Sequence, residues 1–181
     1  MPTTEHLVLR AWRPADRVAF AAINADRDVM RFISDGRPMT RAESDHLLEA
    51  IQGHWTEHGF GLWCAASRKD PDACLGFVGL AVPSFLPAVL PAVEVGWRLA
   101  RSAWGRGLAT EGAGAALAHA FGTLGLGSVI SVIDPLNERS VRVAEKLGMR
   151  PGAAHHHPLT GRKLLAYEIS SDGAGFSPGG A

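Results

Sequence analysis

Cysteine is scarce in this chain. Cys64 and Cys74 are the only two among 181 residues, and both fall inside apolar runs with the pattern of neighbouring strands. So low a count excludes a disulfide-built scaffold, and the two thiols are expected to be buried and free. An excess of charge of either sign is also missing, since eighteen basic residues balance eighteen acidic ones. With no net charge there is no general pull toward nucleic acid or an anionic membrane, and any partner must be recognised by a local site. No stretch reaches the ~18 apolar residues needed to span a bilayer, and no basic segment followed by an apolar run opens the chain. A soluble, cytoplasmic protein is therefore expected. Tyrosine occurs once, as Tyr167 in an apolar run near the C-terminus, where core packing is the natural role and a catalytic one is not assigned.

The composition that remains is ordinary for a globular protein, 46% hydrophobic and 20% charged, at a length suited to one core. A single domain over residues 1–170 is expected, with the Gly/Ser/Pro-rich stretch 171–181 as a disordered tail. Leu7 to Arg10 reads as a strand, and Arg13-Pro14 opens an Ala-rich helix to about Asn24. Thr40 with Glu43 forms a capping box, after which Leu47, Leu48, Ile51 and Trp55 recur at helical spacing toward Gly59. The runs Leu62–Ala66 and Cys74–Leu80 flank a polar turn and predict an antiparallel hairpin. Pro83 to Pro91 is apolar but broken by prolines, so it is expected to be a loop near the substrate entrance and, where exposed, a surface for a homodimer. Strands over Ala92–Leu99, Ser128–Ile133 and Leu164–Ser170 and helices over Leu108–Leu124 and Ser140–Leu147 complete the expectation.

Chemistry concentrates in Trp104-Gly105-Arg106-Gly107-Leu108-Ala109-Thr110-Glu111, a glycine-rich turn between a strand and a helix. Glycines there permit positive φ and close approach of the backbone to a ligand. The unpaired N–H groups of the first helical turn, with the helix dipole behind them, suit an anion such as a pyrophosphate, and Arg106 can add a charge-assisted bond. A P-loop would need a Gly-Lys-Ser/Thr ending, and a dinucleotide fingerprint would need a small residue at Thr110; both are disfavoured.

The turn resembles the acetyl-CoA pyrophosphate loop of the GNAT superfamily of N-acetyltransferases. Trp104 stands where that family usually has Gln or Arg, Gly107 is the central glycine and Ala109 the final small residue. The aromatic at Trp104 is similar to the Rim-type branch, which acetylates the N-terminal alanine of ribosomal proteins. A second segment, Asn137 to Ser140 followed by a helix ending Lys146-Leu147-Gly148-Met149, resembles the second motif of the family. The resemblance implies an α+β fold: a mixed central sheet, splayed between the parallel strands Ala92–Leu99 and Ser128–Ile133, with helices on both faces. It implies acetyl-CoA as cosubstrate, bound at Trp97, Leu99, Trp104, Gly105, Arg106, Gly107, Leu108, Ala109, Thr110 and Asn137, with the backbone from Val95 to Leu99 pairing with the pantetheine arm.

Acetyl transfer to an amine requires a neutral nucleophile, donors for the developing oxyanion and a thiolate that can leave. The backbone N–H of Trp97 or Arg98 is the candidate oxyanion donor. Ser140, which the resemblance places beside the thioester sulfur, is the candidate to assist the leaving group; as a residue alone it reads equally as a first-turn helix serine. Glu94 is the candidate base, against the alternative of a solvated strand-end charge. Asn137 by itself reads as a helix N-cap. His155, His156 and His157 are expected in a surface loop near the acceptor cleft, since consecutive loop histidines seldom converge on one ion, and no metal is assigned. The expected activity is direct transfer from acetyl-CoA to a primary amine, a protein N-terminus or similar. The alternatives are a small-molecule acceptor such as an aminoglycoside and a non-catalytic acyl-CoA sensor, and no nucleic-acid or membrane partner is expected.

Overall fold

The first half of the sheet combines one local hairpin, closed by the polar turn 68–73, with two pairings made across longer connections. In the computed structural model, which describes residues 2–172, β1 (Leu7–Arg10), β2 (Leu62–Ser67), β3 (Cys74–Ala81) and β4 (Glu94–Leu99) form successive antiparallel pairs. The second half is built from β5 (Ser128–Ile133), β6 (Arg150–His156) and β7 (Lys163–Ser170), giving one seven-stranded sheet of order β1-β2-β3-β4-β5-β7-β6. Only β4 and β5 are parallel, and their register is a single pair, Glu94 with Ile130. Beyond it the strands diverge, which is the splay that the resemblance implied. Residues 173–181, most of the expected tail, lie outside the described region.

Helices cover both faces. On one lie α1 (Asp16–Asn24) and α3 (Arg41–His58), packed on the sheet through Phe20, Leu48, Ile51, Cys64 and Phe77. The Phe20 ring of α1 meets Trp12, from the segment before the helix, at 4.8 Å and Phe77 of β3 at 6.2 Å between centroids. On the other, α4 (Leu108–Gly122) buries Leu108, Ala113, Ala116, Leu117 and Ala120 against Leu7, Val78 and Val95. Its alanines let the helix lie close to the sheet. A four-residue turn of helix, α2 (Arg27–Met30), and α5 (Glu138–Lys146) flank the splay. The capping box stands as expected: Thr40 accepts from the Glu43 N–H, the Glu43 carboxylate accepts from the Thr40 N–H, and Gly59 ends α3 in the left-handed region.

One polar pair is buried in this frame. Arg10 and Asp16, 4% and 2% exposed, form a two-pronged ion pair at 2.7 and 2.8 Å, and the Arg13 N–H adds a third bond to Asp16 at 2.7 Å. Burial alone would raise the Asp16 carboxyl, but the bonds from Arg10 and the Arg13 N–H outweigh it and hold the carboxyl below its ordinary range. Removing one member leaves a buried charge unpaired. Asp16→Ala is expected to cost ~3–5 kcal/mol in urea unfolding, and a loss within ~0.5 kcal/mol would show the pair to be dispensable.

Two local expectations are corrected. The histidines are not in a loop: Arg150–His156 is a strand, so His155 and His156 lie in it at the sheet edge, paired with Leu164 and Lys163, and only His157 falls in the turn that follows. The helix expected from Ser140 begins at Glu138, because the Asn137 side chain caps it. The proline-broken run is irregular as expected, apart from a 3-10 turn over Pro87–Val89. His54 anchors its start. Val82 N–H donates to His54 Nε2 at 3.0 Å, so Nδ1 must carry the proton that meets the Phe60 carbonyl at 2.9 Å.

Candidate active site

A cleft of about 730 Å³ opens where β4 leaves β5, bounded by α2 on one side and by the starts of α4 and α5 on the other. Its size falls in the range of small-molecule and cofactor sites. Trp97, Leu99, Trp104, Gly105, Gly107, Leu108, Ala109, Thr110, Asn137 and Ser140 all line it, so ten of the twelve residues expected in the site are brought together. Neither Arg106 nor Glu94 lines the cleft: Arg106 is exposed on the turn, and Glu94 stands at the splay itself.

The glycine turn has the geometry that anion binding needs. Gly105 and Gly107 both take positive φ, +72° and +78°. A Cβ at either would meet nothing within 4 Å. Glycine is thus required by backbone conformation, not by crowding inside the protein, and the space over it is left for a ligand. Gly107 is the N-cap of α4 and supplies no side-chain cap, and the N–H groups of Leu108, Ala109 and Thr110 have no acceptor among the described residues. The acidic residue of that first turn, Glu111, is turned away and accepts from the His6 N–H at 2.7 Å. Three free donors at the positive end of a fifteen-residue helix suit a pyrophosphate.

Trp104 fills the place of the family's usual polar residue differently. Its indole N–H donates to the Leu99 carbonyl at 2.9 Å, and the Arg139 guanidinium lies 4.5 Å over its ring. The aromatic thus ties the glycine turn to β4 and holds a cation from α5 at the cleft, a feature visible in the sequence only as a departure from the motif.

Asn137 fulfils the bland expectation and leaves room for the other. Its Oδ1 caps α5 by accepting from the Ser140 N–H at 3.3 Å, so the amide NH₂ is free to donate into the cleft. Ser140 Oγ accepts from the Trp97 indole N–H at 3.3 Å, which leaves its hydroxyl proton for another acceptor. Ser140→Ala is expected to lower kcat ~3–10-fold, the worth of one hydrogen bond, with acetyl-CoA affinity little changed. An unaltered turnover number would leave Ser140 as a helix-start serine only.

Glu94 is placed by the splay. Where β5 leaves β4, the Glu94 carboxylate takes over the lost pairing by accepting from the Val132 N–H at 3.0 Å. Burial pushes its pKa up to about 7, with the Val132 bond opposing only part of that shift. A carboxylate of this pKa can hold or release a proton near neutrality. The edge of β4 past this point, from Val95 to Leu99, has no strand partner on the β5 side, as strand-like addition of a pantetheine arm would need.

Two long-range contacts tie the β6–β7 turn to the rest of the molecule, and neither was legible in the sequence. Arg162, from the β6–β7 turn, donates to the carbonyls of Arg31 and Ser34 and pairs with Asp134 at 3.2 Å. His157 stacks on Phe85 at 5.9 Å, joining the proline-broken run to the same turn. Tyr167 is in the core at 5% exposure, as expected. Elsewhere Asp16, Cys64 and Cys74 place their ligand-type atoms within 4.8 Å of one another, but Asp16 is already committed to Arg10 and Arg13.

Comparison with known proteins agrees with this geometry. The acetyltransferase (GNAT) domain profile matches residues 6–150. YkkB of Bacillus subtilis is 31% identical over 173 residues, covering 93% of this chain and 94% of that protein. The FsC-acetyl coenzyme A-N(2)-transacetylase of Aspergillus fumigatus is 30% identical over 141 residues, covering 70% of this chain and 55% of that protein. The crystal structure of an acetyltransferase from Agrobacterium tumefaciens superposes with a TM-score of 0.79 at 26% identity, covering 93% of this chain and 94% of that one. The chain belongs to the GNAT family and is an acetyltransferase that takes its acyl group from acetyl-CoA.

Proposed function

We propose that the enzyme transfers acetyl directly from acetyl-CoA to a primary amine, a protein N-terminus or similar, within a ternary complex. The observation that carries this reading is Glu94, a carboxylate held at the splay by the Val132 N–H with its pKa raised to about 7. A sensor could use the same carboxylate to hold Val132, so what separates the two readings is whether removing its charge slows transfer. An α-amino group, with pKa ~7.7–8.0, stands about one unit above Glu94, so the proton transfer is nearly balanced; a lysine at ~10.4 would need about 3.5 kcal/mol more.

The roles divide among the residues already placed. The free N–H groups of Leu108 to Thr110 hold the pyrophosphate, and the Asn137 amide meets the pantetheine arm. The N–H of Trp97 or Arg98 supports the oxyanion, and Ser140 assists the departing thiolate, which needs little help because an alkyl thiol has a pKa near ~8.5. No side chain is required as an acyl carrier.

The reading is tested in two steps. Calorimetric titration should give micromolar binding of acetyl-CoA and CoA and no heat with a dinucleotide. Initial-rate lines for acetyl-CoA and an accepted amine should then intersect, with no acetyl-enzyme in the mass spectrum. Silence toward both CoA species removes the cosubstrate assignment; parallel lines with an acetylated protein remove direct transfer.

A further inference from the structure

Cations are divided between the two walls of the cleft. Arg139, Arg142 and Lys146 belong to the α5 wall beside the glycine turn, where the phosphates of acetyl-CoA go on the reading above. Three more guanidinium groups, from Arg31, Arg98 and Arg101, belong to the α2 side. Arg101 is neutralised by Asp28. The other acid of the cleft, Glu138, pairs with Arg142 at 2.9 Å. Arg31 and Arg98 have no carboxylate partner among the described residues, and apart from Glu94 at the splay the described residues offer the cleft no unpaired acid for a second ammonium group.

Arg98 is the unusual one. It lies on the same side of β4 as α1, with its guanidinium 5.2 Å from the centre of the Phe77 ring and its Nη1 donating to Asn24 Oδ1 at 2.7 Å. Asn24 is neutral, fully buried, and has its own amide on Ser44 at 2.9 Å, so it satisfies one donor without compensating the charge. The Nε of Arg98 is buried with no acceptor, and burial pushes the guanidinium pKa down to about 10. The residue as a whole is half-buried and lines the cleft, so a counter-charge brought by a ligand can reach the guanidinium and improve on its single neutral partner. Arg31, exposed at the rim and 5.1 Å over the Phe32 ring, extends the same field outward.

We propose that the acceptor is an amine that also carries an anionic group, carboxylate or phosphate, and that Arg98 receives that group with Arg31 guiding it from the rim. The guanidinium fork matches either oxyanion. Glu94 and Arg98 share one side of β4 four residues apart, roughly 13 Å along a strand, which suits an amine separated from its anionic group by several bonds. A polyamine or aminoglycoside would bring further positive charge against two unpaired arginines. This inference rests on the acetyl-CoA reading, since it assigns the phosphates of the cosubstrate to the opposite wall.

The test compares matched amines in initial-rate assays with acetyl-CoA: glutamate and O-phosphoserine, their uncharged counterparts glutamine amide and serine amide, and spermidine and kanamycin. The anionic amines should exceed their neutral partners at least ~10-fold in kcat/KM. Arg98→Gln should remove ~10–100-fold of that through the acceptor KM with the acetyl-CoA KM unchanged, and Arg98→Lys should restore part of it. Arg31→Gln, at an exposed site where folding is not at stake, should give a smaller loss of the same sign. Preference for spermidine or kanamycin, no transfer to any anionic amine, or an unchanged anionic-to-neutral ratio in both glutamine variants overturns the proposal. So does a rise in the acetyl-CoA KM of Arg98→Gln, which would give the arginine to a CoA phosphate. The underlying reading fails differently, by absence of heat when acetyl-CoA is titrated into the unaltered protein.

Discussion

Replacing Gly107 by valine is expected to weaken acetyl-CoA binding ~100-fold or more while the protein remains folded. The two effects separate because of where the glycine sits. Its φ of +78° is a conformation that a β-branched residue adopts only with strain, so the turn must either carry ~1–2 kcal/mol of cost or rotate away from it. The fold feels little beyond that, since a Cβ there meets no atom within 4 Å. The cosubstrate is affected more severely. Rotation of the Gly107 peptide re-aims the first N–H groups of α4, and the added methyls stand in the space over which a pyrophosphate must lie. Loss of two or three charge-assisted hydrogen bonds, at ~1.5–3 kcal/mol each, exceeds the ~2.7 kcal/mol that a hundredfold change in affinity represents. Calorimetry with acetyl-CoA beside a thermal melt decides it. Unchanged affinity with an unchanged melting temperature would remove the pyrophosphate from this turn.

The parts of the molecule that were legible in the sequence are those set by neighbours in the chain. Thr40 and Glu43 announce the start of α3, Gly59 its end, and the hairpin of β2 and β3 follows from two apolar runs about a polar turn. The glycine turn could be read for the same reason: the residues that make it are contiguous. Edge strand β6 could not. Pro151, Gly152 and two alanines have neither alternation nor β-branching, all of them are exposed, and the strand exists because β7 pairs with it across a register shift between Pro151 and Ala154. Groups that act across the sheet were hidden as well. Nothing near Arg98 in sequence announces that its partner is Asn24, and nothing near Arg162 announces that it binds the carbonyls of Arg31 and Ser34. Glu94 lies between these cases. Its position on the strand beside the splay was visible, but how far its carboxylate is withdrawn from solvent turned on where β5 diverges, and that is a property of the packed sheet.

The half-buried position of the carboxylate sets a second large effect. Glu94→Gln is expected to lower kcat/KM ~10²–10⁴-fold, the usual worth of a positioned general base. The substitution is chosen because the amide oxygen can still accept from the Val132 N–H, so the splay keeps its shape and a fall in rate reports the lost base. The pH dependence fixes the assignment more firmly than the magnitude. With a pKa near 7, Glu94 is mostly protonated below that value and mostly ionised above it, so kcat/KM of the unaltered enzyme should rise with pH through about 7, and that limb should be absent in the glutamine variant. Stability should move in the opposite sense. A carboxyl raised in the folded state binds its proton more tightly than in the unfolded chain, where the ordinary value is 4.5. Stability therefore falls as pH rises from that value toward 7, and remains lower above it. The glutamine variant has no such penalty, so its melting temperature relative to the unaltered protein should be higher at pH 8 than at pH 5. A rate limb that survives in Glu94→Gln would place the base elsewhere or assign the titration to the amine itself. A difference in melting temperature that does not vary with pH would mean that Glu94 is solvated in the folded protein, and the case for a tuned base at the splay would fall with it.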